Sequence, residues 1–135
     1  MLLADDSADD RLLIARALKG LGTVKLVVSL EDGQEVIAYL DGRGSYGDRE
    51  KYPLPDLLLL DLKMPRVSGF EVLEWINGQA GAKPMVVVLS SSEVPDDIKR
   101  TRALGANLYL VKSYDMGKTL RPLAPLLAGA SPDAG

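Results

Sequence analysis

Three aspartates, a serine and a lysine carry most of the chemistry this sequence can offer. Asp5 and Asp6 stand side by side near the start, and Asp61, Ser90 and Lys112 each close a short apolar run. Carboxylates brought within about 4 Å of one another repel by several kcal/mol per pair at an effective dielectric near 20, so a cluster of the three needs a cation. Hard oxygen donors with no nitrogen or sulfur among them favour Mg²⁺, which keeps waters that a phosphate can replace. A carboxylate is also a nucleophile toward phosphorus, giving an aspartyl phosphate. Phosphoryl transfer then asks for in-line positioning and for cancellation of charge on the phosphoryl oxygens, which Mg²⁺, an ammonium and a hydroxyl supply. Each piece alone has a blander reading: adjacent aspartates cap helices, a strand-end lysine is a solvated charge and a serine triplet is a loop. Their placement at the ends of four different apolar runs ties them together.

A scaffold that ends several strands along one edge must position them. Its clearest piece is Asp56-Leu57-Leu58-Leu59-Leu60-Asp61-Leu62-Lys63-Met64-Pro65, whose four leucines are too short for a free-standing helix and do not alternate. That pattern predicts a parallel strand buried on both faces, with Asp61 at its carboxyl end, where open parallel sheets place their ligands.

Residues 1–4 are long enough only for the end of a first strand. Ser7 and Asp10 form a capping pair, and Leu13, Ile14, Ala17, Leu18 and Leu21 recur at helical spacing, so a first helix is predicted over 8–20. A second strand is predicted over 24–28, and Val36, Ile37 and Leu40 mark a second helix after an Asp32-Gly33 turn. Residues 42–55 read as a long surface loop. Ser68 can cap a third helix with Phe70, Leu73 and Ile76 facing inward; residues 84–89 and 107–111 read as the fourth and fifth strands, with a helix from Pro95 to near Gly105 between them. Met116, Leu120, Leu123 and Leu127 have helical spacing, but Pro122 and Pro125 interrupt it, so the last helix is expected to be kinked, late-starting or shortened. Residues 129–135 are expected to be disordered.

Composition limits the classes. At 135 residues and 47% hydrophobic, the chain suits one α/β domain. With no cysteine there is no thiolate metal site, and with no histidine the commonest general base is absent. A net charge of -3 argues against a nucleic-acid footprint. There is no run of about 18 apolar residues and no charged-then-apolar leader, so no membrane span and a cytoplasmic location are expected.

In order and spacing, Asp5-Asp6, Asp61-x-x-Met64-Pro65-x-x-x-Gly69, Ser90 and Lys112 resemble the motif set of the response-regulator receiver domain, the phospho-accepting half of two-component signalling. The resemblance implies a receiver domain over residues 1–128. Its fold would be a five-stranded parallel sheet, doubly wound and flavodoxin-like, in strand order 2-1-3-4-5 with helices on both faces. Carried over by position, Asp61 is the phospho-acceptor, Asp6 a direct Mg²⁺ ligand, Asp5 a ligand largely through water, and the Lys63 backbone carbonyl completes the protein's share. Ser90 bonds the phosphoryl group, Lys112 pairs with it, and Tyr109 falls on the aromatic switch position. Residues 42–55, with Leu54-Pro55-Asp56, look more specifically like the stand-alone regulators that partner bacterial phytochromes. A sensor histidine kinase is thus the implied upstream partner. The face built from the fourth helix, fifth strand and fifth helix serves family members for dimers and output, so a homodimer is among the allowed assemblies. The sequence departs from the family pattern in a clipped first strand, Ser113 where proline usually follows the lysine, serine for threonine at 90, and the late prolines.

Three rivals fit less well. A haloacid-dehalogenase-type phosphohydrolase needs two first-strand aspartates two apart, whereas Asp5 and Asp6 are adjacent. A calcium loop starting at Asp5 fails because Asp10 takes the glycine position and Arg16 that of the bidentate glutamate. A receiver-like scaffold that is never phosphorylated would have no need to keep every acidic residue, the hydroxyl and the lysine. The expectation is therefore a phospho-acceptor rather than an enzyme with steady turnover.

Overall fold

Strands of three to six residues alternate with helices along the whole chain, and a computed structural model describes residues 1–22, 27–81 and 83–127. In order these are β1 (Leu2–Ala4), α1 (Ala8–Gly20), β2 (Val28–Leu30), α2 (Gly33–Asp41), a 3₁₀ turn (Gly44–Gly47), β3 (Leu57–Leu60), α3 (Gly69–Asn77) and β4 (Met85–Ser90). They are followed by α4 (Pro95–Ala103), β5 (Leu108–Val111), α5 (Met116–Leu120), a second 3₁₀ turn (Arg121–Leu123) and α6 (Ala124–Leu127). The strands form one parallel sheet in the order β2-β1-β3-β4-β5.

Every residue of β3 is buried, because the sheet has a core on each face and the period of two sends alternate leucines to different cores. Leu58 and Leu60 pack with Val36 and Tyr39 of α2 and with Val72, Leu73 and Ile76 of α3. Leu57 and Leu59 pack with Ile14 and Leu18 of α1 and with Met116, Leu120, Leu123 and Leu127. β1 and β4 divide the same way, Leu3, Val87 and Leu89 facing α1, and Leu2, Ala4, Val86 and Val88 facing α2 and α3. The short first strand suffices because both its neighbours pair along its full length, Ala4 opposite Leu30 and Leu60.

The second strand corrects the sequence expectation. It runs over Val28–Leu30, later than the predicted 24–28, and residues 23–26 lie outside the described residues. The apolar run signals burial, whereas pairing is fixed by β1, whose last residues and the Asp5 N–H bond reach Leu30. Asp32 is an N-cap rather than part of a turn, its carboxylate accepting from Glu35 N at 2.8 Å. In α3, Gly69, Val72, Leu73 and Ile76 are buried, while Phe70 is half-buried beneath the Arg100 guanidinium, 4.1 Å from its ring centre. The predicted apolar stripe at the C-terminal end is buried, and the helix is broken into α5, a 3₁₀ turn holding Pro122, and α6 holding Pro125. The expected disorder of residues 129–135 lies outside the described residues.

Residues 42–55 are a surface segment with its own ties. Arg49 donates to the carbonyls of Tyr39 (2.9 Å) and Leu40 (3.0 Å) in the last turn of α2 and to that of Tyr52 (3.3 Å), so it ties the segment to the end of the helix, where Tyr39 O also accepts from the Gly42 N–H. Tyr39, Tyr46 and Tyr52 pack against one another with ring centres 5.0 to 5.9 Å apart, and Tyr39 Oη donates to Pro53 O.

Candidate functional site

The residues that close β1, β3, β4 and β5 converge at one edge. Backbone bonds continue the sheet into them: Asp61 N donates to Ala4 O at 2.9 Å, Asp5 N to Leu30 O at 3.1 Å, and Lys112 N to Ser90 O at 2.8 Å. The side chains therefore stand on the rigid sheet rather than on free loops. Asp5 and Asp61 are buried and Asp6 is exposed, and each of the three offers a carboxylate oxygen within 4.8 Å of the others. Lys63 is exposed beside them, its N–H donating to Asp61 Oδ1 at 3.4 Å.

Lys112 is the counter-charge. Its Nζ lies 2.6 Å from Asp5 Oδ2, 2.9 Å from Asp10 Oδ2 and 3.5 Å from Asp61 Oδ2. Burial alone would depress the ammonium, but hydrogen bonds to Asp5 and Asp10 and the charge of Asp61 outweigh it and hold the lysine well above its ordinary value. Asp61 moves the other way from a usual paired carboxylate. Burial raises its pKa, the charge of Asp5 adds to that, and Lys112 and the Lys63 N–H offset only part of it. A poorly neutralised, buried carboxylate flanked by two more is a site for a small hard cation, and an all-oxygen donor set fits Mg²⁺ or Mn²⁺.

Ser90 is fully buried, and its hydroxyl accepts from Ser92 N at 3.2 Å. Tyr109 Oη donates to Ser92 O at 2.8 Å, so Ser90 and Tyr109 are joined through one residue. Ser113, standing where the resemblance expects proline, follows Lys112 through a trans peptide and uses the N–H that proline lacks to reach Thr119 Oγ1 at 3.1 Å.

Sequence reasoning missed two parts of the site. Asp10 was credited with capping alone, and its N–H does donate to Ser7 Oγ at 3.2 Å, but its carboxylate goes to Lys112, while Ser7 N donates to Asp5 Oδ1. An acid one helical turn beyond Asp6 was the available signal. By sequence Ser92 is part of a loop-closing triplet. Its hydroxyl donates to Asp97 at 2.7 Å and accepts from Val94 N, fixing the start of α4.

The family model of the response regulator receiver domain matches residues 1–123. The chain belongs to that family. Among curated relatives, this receiver is 37% identical over 117 residues to response regulator Rcp1 of Synechocystis sp., covering 86% of this chain and 78% of Rcp1. Among solved structures, the Mn²⁺-bound form of Rcp1 superposes with a TM-score of 0.85 at 34% identity, over 96% of this chain and 95% of that one. The phosphorylated cyanobacterial phytochrome response regulator RcpA gives 0.84 at 33% identity, over 96% and 94%. The sheet order of the receiver is the flavodoxin-like order that its motif set implied. Among the described residues no helix is long and apolar enough to cross a membrane.

The charge balance of the receiver gives a test without any phosphodonor. Lys112→Ala strands Asp5, Asp10 and Asp61, and breaking a buried pair costs about 3 kcal/mol, so the metal-free protein should lose stability on that scale. Excess Mg²⁺ should recover most of the loss, since a cation bound to the folded state alone stabilises it. Urea unfolding with Mg²⁺ and with EDTA would show it. An equal loss in both would mean that the ammonium and the cation do not answer the same charge.

Proposed function

We propose that the receiver takes a phosphoryl group onto Asp61 from the phosphohistidine of a sensor histidine kinase. The observation that carries this reading is Asp61 itself, buried at the end of β3, short of counter-charge, and facing Lys112 within the Asp5–Asp6 cluster. In the transfer an Asp61 carboxylate oxygen forms the new bond to phosphorus. The bond from phosphorus to the imidazole nitrogen breaks, and the electron pair leaves with the imidazole. Asp5, Asp6, Asp61 and the Lys63 carbonyl would hold Mg²⁺, which when bound supplies positive charge against the phosphoryl oxygens. Lys112 supplies a second positive charge and Ser90 Oγ a hydrogen bond.

Signalling follows from the Ser90–Ser92–Tyr109 linkage. A Ser90 hydroxyl drawn to the phosphoryl group gives up its bond from Ser92 N, and the Ser92 carbonyl that anchors Tyr109 then loosens. The altered surface is the region of α4, β5 and Tyr109, offered to a downstream protein or to a second copy of the chain. Similarity to Rcp1 and to the phytochrome response regulator RcpA favours a phytochrome-type kinase as donor.

Acetyl phosphate or phosphoramidate, followed by intact mass, tests the proposal. One added phosphoryl group that requires Mg²⁺ and disappears with EDTA is expected. No gain in folded protein with Mg²⁺ would favour the unphosphorylated scaffold, and continuous hydrolysis of phosphomonoesters would favour a phosphohydrolase. The single tryptophan, Trp75, lines a groove beside Pro55 and Pro84 at the entry ends of β3 and β4. Its fluorescence therefore reports a change carried across the domain rather than the site itself.

A further inference from the structure

An ammonium has three N–H bonds, and Lys112 faces three carboxylates, Asp5, Asp10 and Asp61. Two of these belong to the cluster that suits a cation, and Asp10 does not. Asp10 stands in the first turn of α1, and its carboxylate is not needed there for capping, because Ser7 Oγ accepts from the Asp10 N–H and the Ser7 N–H is taken by Asp5. The turn is held against the site by Arg11, which donates to Asp5 O at 2.7 Å. Asp10 is therefore a fixed acceptor at the rim of the pocket, partly open to solvent, with its charge directed at the lysine.

We infer that Asp10 is a positioning residue that holds Lys112 at the rim of the site and competes with a phosphoryl group on Asp61 for the same ammonium. The inference rests on the phospho-acceptor reading. When Asp5 and Asp61 turn toward a cation, Asp10 becomes the remaining partner of Lys112. A phosphoryl group then gains the lysine only by drawing it from Asp10 or sharing it. The strength of that pair sets part of the free-energy difference between the resting and phosphorylated forms. This role differs from the favourable placement of any acid near a helix start, which would act on α1 whether or not Lys112 is present.

The test uses beryllofluoride, a stable phosphoryl mimic, on the full chain at saturating Mg²⁺. Asp10→Asn keeps the size of the side chain and removes its charge. For an ion pair of this exposure, beryllofluoride should bind about three- to tenfold more tightly to the variant. In a Lys112→Ala background the same substitution should change affinity little, because the competitor has nothing left to hold. Equal tightening in both backgrounds would overturn the inference by showing only relief of repulsion toward an anion. Unchanged or weaker binding in the single variant would overturn it directly.

A second readout needs neither the mimic nor a folded lysine variant. In Mg²⁺-saturated protein, the ¹⁵N resonance of the Lys112 ammonium should shift on Asp10→Asn and return toward its original position in Asp10→Glu. No shift would overturn the inference even if beryllofluoride affinity changed. Failure of the unsubstituted protein to bind beryllofluoride at all would sink the phospho-acceptor reading itself, a result distinct from each of these.

Discussion

Asp61→Asn is expected to abolish covalent phosphorylation and, in metal-free protein, to raise the melting temperature. Both effects come from one carboxylate. The nucleophilic oxygen is lost, while the carboxamide fills the same space and can still accept from the Lys63 N–H. The stabilisation follows from the raised pKa of Asp61, caused first by burial and then by Asp5, against the opposing pull of Lys112. An acid whose folded-state pKa lies above its unfolded value costs stability when ionised. That cost sets in as pH rises from its ordinary value of 3.8 through the raised folded value, and it is present at neutral pH. Asn removes the cost together with its pH dependence. Lys112 loses little, since Asp61 is the most distant of its three carboxylates. A gain of about 1 kcal/mol would appear as a rise of roughly 3–5 °C in a domain of this size, readable by calorimetry in EDTA. A lower melting temperature would show that Lys112 over-compensates Asp61.

Gly69→Ala should produce a large loss of stability from a small chemical change. A Cβ at this position would lie 2.4 Å from Asp61 O and 2.8 Å from Leu62 Cα, both backbone atoms of the strand end that carries Asp61. Backbone cannot rotate away as a side chain can, so α3 must move out or β3 must bend. Overpacking of this kind costs about 3 kcal/mol, and a fall in melting temperature of roughly 10 °C follows for a domain of this size. The displaced Asp61 carbonyl also shifts the carboxylate beside it, so Mg²⁺ affinity measured by calorimetry at low temperature should fall. A variant of unchanged stability would mean that the approach of α3 to the Asp61 turn relaxes freely.

Gly69 also shows what the sequence makes legible. A glycine eight residues after Asp61 belongs to the motif by position, but its physical reason, contact of a helix start with the end of the strand that carries Asp61, needs coordinates. The four leucines of β3 could be read as doubly buried because parallel strands covered on both faces lose their alternation. Asp5, Asp61, Ser90 and Lys112 could be placed together because each closes an apolar run, and parallel topology sends those ends to one edge. Asp10 and Ser92 could not be placed in this way. Their roles depend on where side chains point across loops, and both were covered by adequate local explanations, a cap for one and a turn for the other. The second strand was misplaced because an apolar run gives burial but not register. Residues 42–55 read as a plain surface loop because Tyr46, Arg49 and Tyr52 have no periodicity until the chain folds back on Tyr39 of α2.

Reduction of the acyl phosphate tests the central claim most directly. The protein would be treated with phosphoramidate and Mg²⁺, reduced with borohydride, which converts an aspartyl phosphate to homoserine, and mapped by peptide mass. Homoserine at position 61 alone, absent without Mg²⁺, is the expected result. Homoserine at position 5, 6 or 10, or none at any position in folded and Mg²⁺-loaded protein, would contradict the assignment of Asp61 as the acceptor.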